Sequence, residues 1–249
     1  SDIAMPTVAT VSERLGLPMF HTVEQTEVLH RKVNLRSFLS KYGLSPVVNL
    51  SVKNPADLRN FSRFPAIVKP SDSQGQRGIT VVQNMEEAIA AVPVAIESSS
   101  SCTAIIEEFL DGPEVSVHVF AVDRKVQFQL VSDRHVWDGP LTGVPSAHTV
   151  PSRFVDAQTL TQIDDLVREV VRFLEVTTGP MYFQLILTEH GPRIVEIAPR
   201  LDGCHLWRLV ELHTGFNILD RCFELLAGEP WQAVDYDEDG STHELQFLL

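Results

Sequence analysis

Cysteine is scarce in this chain. Three occur in 249 residues, Cys102, Cys204 and Cys222, and none sits in a C-x-x-C pair. That count and spacing argue against a disulfide framework or a zinc site. They suit a reducing cytosol, so a cytoplasmic location is expected. Long apolar runs are also lacking: no segment reaches the length of a membrane span, and no charged stretch leads into an apolar one as in a signal peptide. Positive charge is in short supply, with 20 Lys and Arg against 33 Asp and Glu, a net charge of −13. Such a surface repels phosphate backbones, so nucleic acid is not an expected partner, and for want of a span neither is a membrane. A few cations concentrated in one cleft would still bind a small anion. No internal repeat and no long linker is visible. What remains, at 44% hydrophobic and 21% charged, is ordinary globular material, enough for one large domain or two small lobes.

Periodicity divides what is present. Val8, Val11 and Leu15, ending at Gly16, read as a short amphipathic helix. Leu35, Phe38, Leu39 and Tyr42 share a helical face, with Gly43 placed to cap it. Pro65 to Lys69 reads as a strand, followed by a polar loop from Ser71 to Gly78 and a second strand from Ile79 to Gln83. Asn84 with Glu87 predicts a helix start, and the helix is expected around Glu86 to Val92. Strands are expected over Ala104–Leu110, Glu114–Val122 and Lys125–Val131. In Glu114–Val122, Val115, Val117, Val119 and Ala121 alternate with Glu114, Ser116, His118 and Phe120, so one face is predicted to be core and the other open for chemistry. Leu160, Ile163, Leu166, Val167, Val170, Val171 and Leu174 keep a 3.6-residue period and predict a helix over 157–176. Met181–Leu187 and Arg193–Ala198 read as a hairpin, followed by two helical pieces broken at Gly215 and stopped at Gly228, and a last strand over Thr242–Leu249. Asp133–Pro151 is read as loop.

Three segments carry candidate chemistry. In the first, a strand ends at Lys69 and a Gly-bearing loop follows. Glycines permit the positive φ that aims backbone N–H groups at phosphate oxygens, and Lys69 and Arg77 add charge. The loop leads into a strand and lacks GxxxxGK[ST], so it is no Walker A site; a hairpin with a surface lysine is the plain alternative. In the second, an apolar strand stops at Glu107 and Glu108, turns at Asp111-Gly112-Pro113 and re-enters on Glu114. A strand-to-turn hinge offers backbone groups to a base and carboxylates to ribose hydroxyls, whereas solvated acids on a hairpin would look the same. In the third, taking Thr188–Pro192 as the loop and pairing Leu187 with Arg193 sets Gln184 opposite Glu196, their Cβ atoms about 4.5–5.5 Å apart. Two such oxygens on one face could share a hard cation such as Mg²⁺, or simply hydrogen-bond to one another. Arg200 follows just beyond.

Taken in order, these segments resemble the ATP-grasp superfamily. The matching residues are Lys32, Phe64 to Pro70 with the following loop, Glu107 to Glu114, Phe183 to Ile186, and Val195-Glu196-Ile197-Ala198-Pro199-Arg200-Leu201-Asp202-Gly203. The resemblance implies an α+β ATP-grasp fold, two α/β lobes with ATP held between two antiparallel sheets. By resemblance, Lys32 and Lys69 look like the two lysines on the ATP phosphates, and Gly75, Gln76, Arg77 and Gly78 like the lid loop over them. Glu107, the backbone of Glu108 and Leu110, and Glu114 look like adenine and ribose contacts. Gln184 and Glu196 look like ligands of Mg²⁺, with Mn²⁺ as the alternative ion. Arg200 looks like the arginine that holds the substrate carboxylate or phosphate, so Arg200 and Glu196 are the catalytic candidates. Ala198 stands where many members have a metal-binding Asn, which puts a second ion in doubt. His148, Gly203 and Cys204 fall where acceptor-pocket residues lie in carboxylate–amine ligases of the superfamily, the bacterial L-amino-acid ligases among them. For His148 a purely structural role is the alternative.

The implied organisation is a remnant of, or linker from, a preceding pre-ATP domain over 1–30, a small lid lobe over 31–106, a large lobe over 107–230 and an extension over 231–249. The implied activity is ligation of a small carboxylate to a small amine through an acyl phosphate, with a homodimer as the candidate assembly. Two alternatives are a bicarbonate-activating enzyme, of the carboxylase or carbamoyl-phosphate kind, and a non-catalytic nucleotide-binding domain.

Overall fold

The computed structural model describes residues 2–72, 75–137, 143–203, 205–232 and 240–248. The chain is α+β and forms two compact units, residues 31–111 on the one hand and residues 1–30 with 112–249 on the other. The expected boundary between 106 and 107 falls inside a strand, Ala104–Glu108, and the units divide after Asp111 instead.

Residues 31–111 comprise helix α3 (Lys32–Lys41), strand β1 (Asn49–Val52), a 3-10 segment (Pro55–Asn60), β2 (Ala66–Pro70), β3 (Thr80–Val82), α4 (Met85–Glu97) and β4 (Ala104–Glu108). The four strands form an antiparallel sheet in the order β1-β4-β2-β3. Ala88, Ala91, Val92 and Ala95 of α4 pack with Val68, Val82, Ala104 and Ile106 of the sheet. Small side chains on that helical face let helix and strands approach closely. Asn84 caps α4 by accepting the Glu87 N–H at 3.0 Å, while the Glu87 carboxylate accepts the Gln83 N–H at 2.8 Å. The helix runs to Glu97, five residues past its expected end, because Pro93 lies on its exposed side.

The second unit carries α1 (Met5–Leu15), α2 (Val23–His30), β5 (Glu114–Val122), β6 (Lys125–Val136), β7 (Pro145–Val150), α5 (Ala157–Phe173), β8 (Thr178–Thr188), β9 (Gly191–Ala198), α6 (Leu206–Thr214), α7 (Ile218–Leu226) and β10 (His243–Gln246). Its antiparallel sheet runs β10-β7-β6-β5-β8-β9. The stretch read as loop, Asp133–Pro151, supplies the end of β6 and all of β7. Residues 1–30 are tied to this unit by side-chain bonds. Gln25 Nε2 donates to the Leu174 carbonyl at 3.0 Å, and His21 Nε2 lies 2.9 Å from the Pro180 carbonyl. Gly179, at φ 142°, lets Phe20 in: a Cβ there would sit 2.5 Å from that of Phe20.

The sheet has two differently covered faces. Val115, Val117 and Val119 point to one side, as does Gln129, whose amide bonds to Asp164 of α5. Ser116, His118 and Phe120 point to the other. That second face is not open along its length, contrary to the alternation reading. Phe120, Phe128, Leu130 and Val150 are sealed under Leu206, Leu209, Val210 and Phe216 of the α6–α7 region, and Trp231 stacks on Phe120 at 5.2 Å. No helix among the described residues is long and apolar enough to cross a membrane.

Candidate functional site

Register places the polar end of this second face. Gln184 pairs with Ser116 on one side and Glu196 on the other, and Ser116 pairs with Ser132. One step along, Glu114 stands in line with Arg134, and Arg134 pairs with His148. Strand alternation therefore gathers Glu114, Gln184, Glu196, Arg134 and His148 on one side of one sheet, although up to 82 positions separate them in sequence.

Gln184 and Glu196 do lie directly opposite one another, but not by the register assumed above. Thr188 pairs with Gly191 across a two-residue turn, Glu189-His190, and Leu187 pairs with Pro192, not Arg193. Continued unbroken, that register would set Val195 against Gln184. A β-bulge between Leu185↔Ile194 and Gln184↔Glu196 inserts one extra residue, Val195, and returns Glu196 to the Gln184 side. The Gln184 amide donates to Glu114 Oε2 at 2.8 Å, which leaves its oxygen for another partner. Arg134 donates to the same Glu114 oxygen at 2.5 Å and to the Gly143 carbonyl at 2.9 Å.

Beyond β9, Arg200 is engaged on two edges. Its Nε and Nη2 each lie 2.5 Å from a carboxylate oxygen of Asp2, a bidentate pair, while Nη1 donates to the Leu201 carbonyl at 2.7 Å and stands 3.9 Å from Asp202 Oδ1. Burial pushes the Asp202 carboxyl up to about 6; the Gly203 amide, Arg200 and Arg134 oppose the rise, and nearby Glu196 adds to it. Burial likewise raises the Tyr182 hydroxyl, with the negative charges of Asp202 and Glu196 acting in the same direction.

His148 is buried, and its Nδ1 lies 3.3 Å from Ser132 Oγ, which lies 3.2 Å from His118 Nε2. Burial holds both imidazoles below the ordinary histidine range, His118 near 4. Both are neutral at pH 7. Gly203 is exposed beside Asp202, and Cys204 lies outside the described residues.

Residues 31–111 hold the other candidates. Lys69 ends β2 with its Nζ 2.8 Å from Glu107 Oε2, and Arg36 of α3 places Nε 2.6 Å from Glu107 Oε1. Glu107 is 2% exposed. Burial opposes its ionisation, but Lys69 and Arg36 together outweigh that and hold the carboxyl well below the usual range. Lys32 opens α3, its N–H on the Ser71 carbonyl at 2.9 Å. The loop that follows Ser71 is clamped at its base, where Asp72 accepts bonds from Ser99, Ser100 and Ser101. Gly75, Gln76 and Gly78 all have positive φ, and a side chain at Gly78 would meet Ser98 Oγ at 2.7 Å. Gln76 and Arg77 are exposed at the turn. The Glu108 N–H donates to the Val48 carbonyl at 2.9 Å, and its carboxylate accepts the Val48 N–H at 2.8 Å. A cavity of about 270 Å³ opens there, lined by Arg36, Leu44, Val48, Asn49 and Glu108 among others. Leu110 is half-buried just past β4. A larger cavity, about 450 Å³, lies between β6 and α5 on the opposite face of the six-stranded sheet from Glu196, and none of the expected site residues lines it.

Sequence reasoning assigned no role to Arg134, Asp202 or Arg36. Extending the alternation of β5 across to β6 would have found Arg134. Asp202 and Arg36 left no periodic signal.

Two antiparallel sheets in an α+β chain, one bearing Lys69 on a strand end and the other an opposed Gln–Glu pair, define the ATP-grasp class of fold. The chain matches the family described as phosphoribosylglycinamide synthetase, ATP-grasp (A) domain, over residues 31–203, and it belongs to that family. Among curated relatives, the phosphoribosylamine–glycine ligase of Methanococcus maripaludis strain C5 is 30% identical over 181 residues, which is 66% of this chain and 40% of the relative. The chain thus spans well under half of that relative. Among solved structures, the L-amino acid ligase from Bacillus licheniformis superposes with a TM-score of 0.78 at 24% identity, over 91% of this chain and 54% of the other. A biotin carboxylase–β,γ-ATP complex from Campylobacter jejuni gives 0.77 at 14%, over 91% and 52%.

Proposed function

We propose that this chain binds Mg·ATP and serves an ATP-dependent ligase that activates a carboxylate as an acyl phosphate and joins it to an amine. The observation that carries the reading is the Gln184–Glu196 pair, set opposite by a bulge, with Arg200 just past the same strand. Family membership and phosphoribosylamine–glycine and L-amino acid ligases among the similar proteins support it.

Lys69 is the phosphate cation of this reading, with Lys32 as its second, and the ion pair with Glu107 holds Lys69 in place. The loop from Gly75 through Gln76 and Arg77 to Gly78 covers the phosphates with backbone N–H groups, while the hinge at Glu108 and Leu110 meets the base and Glu114 the ribose. Mg²⁺ is commonly held by one or two side-chain oxygens, the rest of its shell coming from phosphates and water. Gln184 and Glu196 fit that pattern. Among the described residues no set of three or more His, Cys, Asp or Glu could cage an ion, so a metal shared with the nucleotide suits them. When bound, it would neutralise charge on the phosphate oxygens.

A substrate carboxylate on Arg200 attacks the γ-phosphorus, and ADP leaves. The amine then attacks the acyl carbon, phosphate leaves with the carboxylate oxygen it had gained, and the nitrogen gives up a proton. Arg200 stabilises the oxyanion between these bonds. His148, as a neutral imidazole, borders the acceptor side. The test is a matrix of acids and amines scored for phosphate release. Turnover with bicarbonate and no other acid would reject the ligase reading. Lys69→Ala should weaken ATP binding about 10–100-fold, as loss of a charged hydrogen-bond partner does; unchanged affinity rejects the phosphate role.

A further inference from the structure

An acid at the edge of a loop that covers phosphates would repel the ligand unless its charge were spent elsewhere. Asp72 stands at the entry of the loop that ends at Gly78, and its charge is spent. Strand pairing between β2 and β4 ends at Pro70↔Ala104, and one more backbone bond, from the Ser71 N–H to the Thr103 carbonyl at 2.9 Å, continues it. Beyond that point the Asp72 side chain takes over from the ladder. Its Oδ1 accepts the Ser99 hydroxyl at 2.7 Å and the Ser100 N–H at 3.0 Å. Its Oδ2 accepts the Ser100 hydroxyl at 2.7 Å and the Ser101 N–H at 3.0 Å. Four donors from one turn thus fill a single carboxylate, which keeps no acceptor site for a metal or a ribose. Burial opposes its ionisation, but the three serines outweigh that and lower the carboxyl to about 2. The far end of the loop rests on the same turn: a Cβ at Gly78, φ 71°, would stand 2.7 Å from Ser98 Oγ. Ser98 is held in its turn, its hydroxyl donating to the Val94 carbonyl of α4 at 2.9 Å.

We propose that Asp72 is a positioning residue for nucleotide binding: it fixes the entry of the loop against the Ser98–Ser101 turn, so that the N–H groups of Gly75, Gln76, Arg77 and Gly78 are held ready for a phosphate. This rests on the Mg·ATP reading for the identity of the ligand, but not for the anchor itself. Both lysines of that reading share the frame. Lys69 lies three residues before Asp72 on β2, and the Ser71 carbonyl accepts the Lys32 N–H at 2.9 Å. The turn leads directly into β4, which carries Glu107, the partner of Lys69. Population supplies the mechanism. A loop released at its entry holds the binding arrangement for only a fraction of the time, and apparent affinity falls by that fraction. The effect is confined to ligands that carry phosphates.

The test compares a ligand with phosphates and one without, on the full chain. By calorimetry, Asp72→Asn should bind Mg·ATP about tenfold or more weakly, since its amide turns a donor toward a turn that offers only donors. Adenosine should bind as it does to the unaltered chain. Ser100→Ala removes one of the four bonds at an exposed position. It should weaken Mg·ATP about threefold, again sparing adenosine, and it carries the test if Asp72→Asn does not fold. Without nucleotide, trypsin cleavage after the exposed Arg77 should be faster in both variants, because it follows the open fraction of the loop. Unchanged Mg·ATP affinity, an equal loss for adenosine, or equal cleavage rates overturn the proposal. If the unaltered chain binds neither nucleotide while cleavage is still faster in Asp72→Asn, the Mg·ATP reading falls and the anchoring role of Asp72 stands.

Discussion

Glu107 is a buried carboxylate and Asp202 a partly buried one, one in each compact unit, and their surroundings drive them in opposite directions. Glu107 meets Arg36 and Lys69, two cations for one acid, and stays ionised far below the usual range. Asp202 is desolvated, with Arg200 Nη1 no nearer than 3.9 Å, Arg134 acting only at a distance and Glu196 adding negative charge, and its carboxyl is pushed up to about 6. Where the chain supplies the counter-charges itself, the group serves to hold a side chain in place. Where it leaves a deficit, the carboxyl keeps its proton to higher pH. The same physics thus sets two carboxyls of one molecule several pH units apart in their behaviour.

The sharpest way to break this contrast is Glu107→Gln. It leaves Arg36 and Lys69 buried against a neutral amide, and denaturant titration at pH 7 should show a loss of about 3–5 kcal/mol. A loss under 1 kcal/mol would mean that water already shares those charges. Glu196→Gln comes next: Mg²⁺-dependent ADP formation should fall about 100-fold or more, as when a preorganised charge at a transition state is removed, with the melting transition preserved. Surviving activity would clear Glu196 of metal binding. Asp202→Asn should do the reverse of Glu107→Gln and stabilise the fold. The folded carboxyl holds its proton to about pH 6, against about 3.9 unfolded. Stability tied to that proton is present below pH 4 and lost as pH rises through 6. At pH 7 the Asn variant should therefore be more stable by about 3 kcal/mol, and at pH 4 by less than about 1 kcal/mol. Equal gains at both values would locate the effect in packing. The smallest effect is Asn84→Ala, about 1 kcal/mol through the lost cap of α4. It should leave ADP formation unchanged, which marks it as a stability control for the other three.

Much of this fold was legible because period carries it. The 3.6-residue stripe of α5 and the glycines after α1, α3, α6 and α7 mark those helices well. β7 was not legible, since Pro145 and Pro151 bracket it and its partner β6 runs past the apolar stretch that announces it. The second face of β5 misled because alternation says which residues share a side but not what covers that side; α6 and α7, some 90 residues later, seal Phe120. At the site, Gln184 and Glu196 were correctly set opposite one another, through a register that is off by one at the turn. Glu107 read as a nucleotide contact because its partner Arg36 lies on a helix 71 positions earlier, and no local pattern links them. Asp202 lies within the recognised motif, but the desolvation that raises its carboxyl is a property of three dimensions alone.

The extra residue at Val195 has a consequence for comparing this chain with others. Between the turn and Glu196, position counted from the hairpin tip no longer tells which side of the sheet a residue occupies. Any alignment that slides by one across Arg193–Glu196 exchanges the acid for its neighbour and sets the wrong letter opposite Gln184. Closing the bulge with Val195 retained would set Val195 against Gln184 and transfer Glu196 to the α5 side without changing a single letter of the motif. The length of this short stretch is therefore as much a part of the signature as the letters in it.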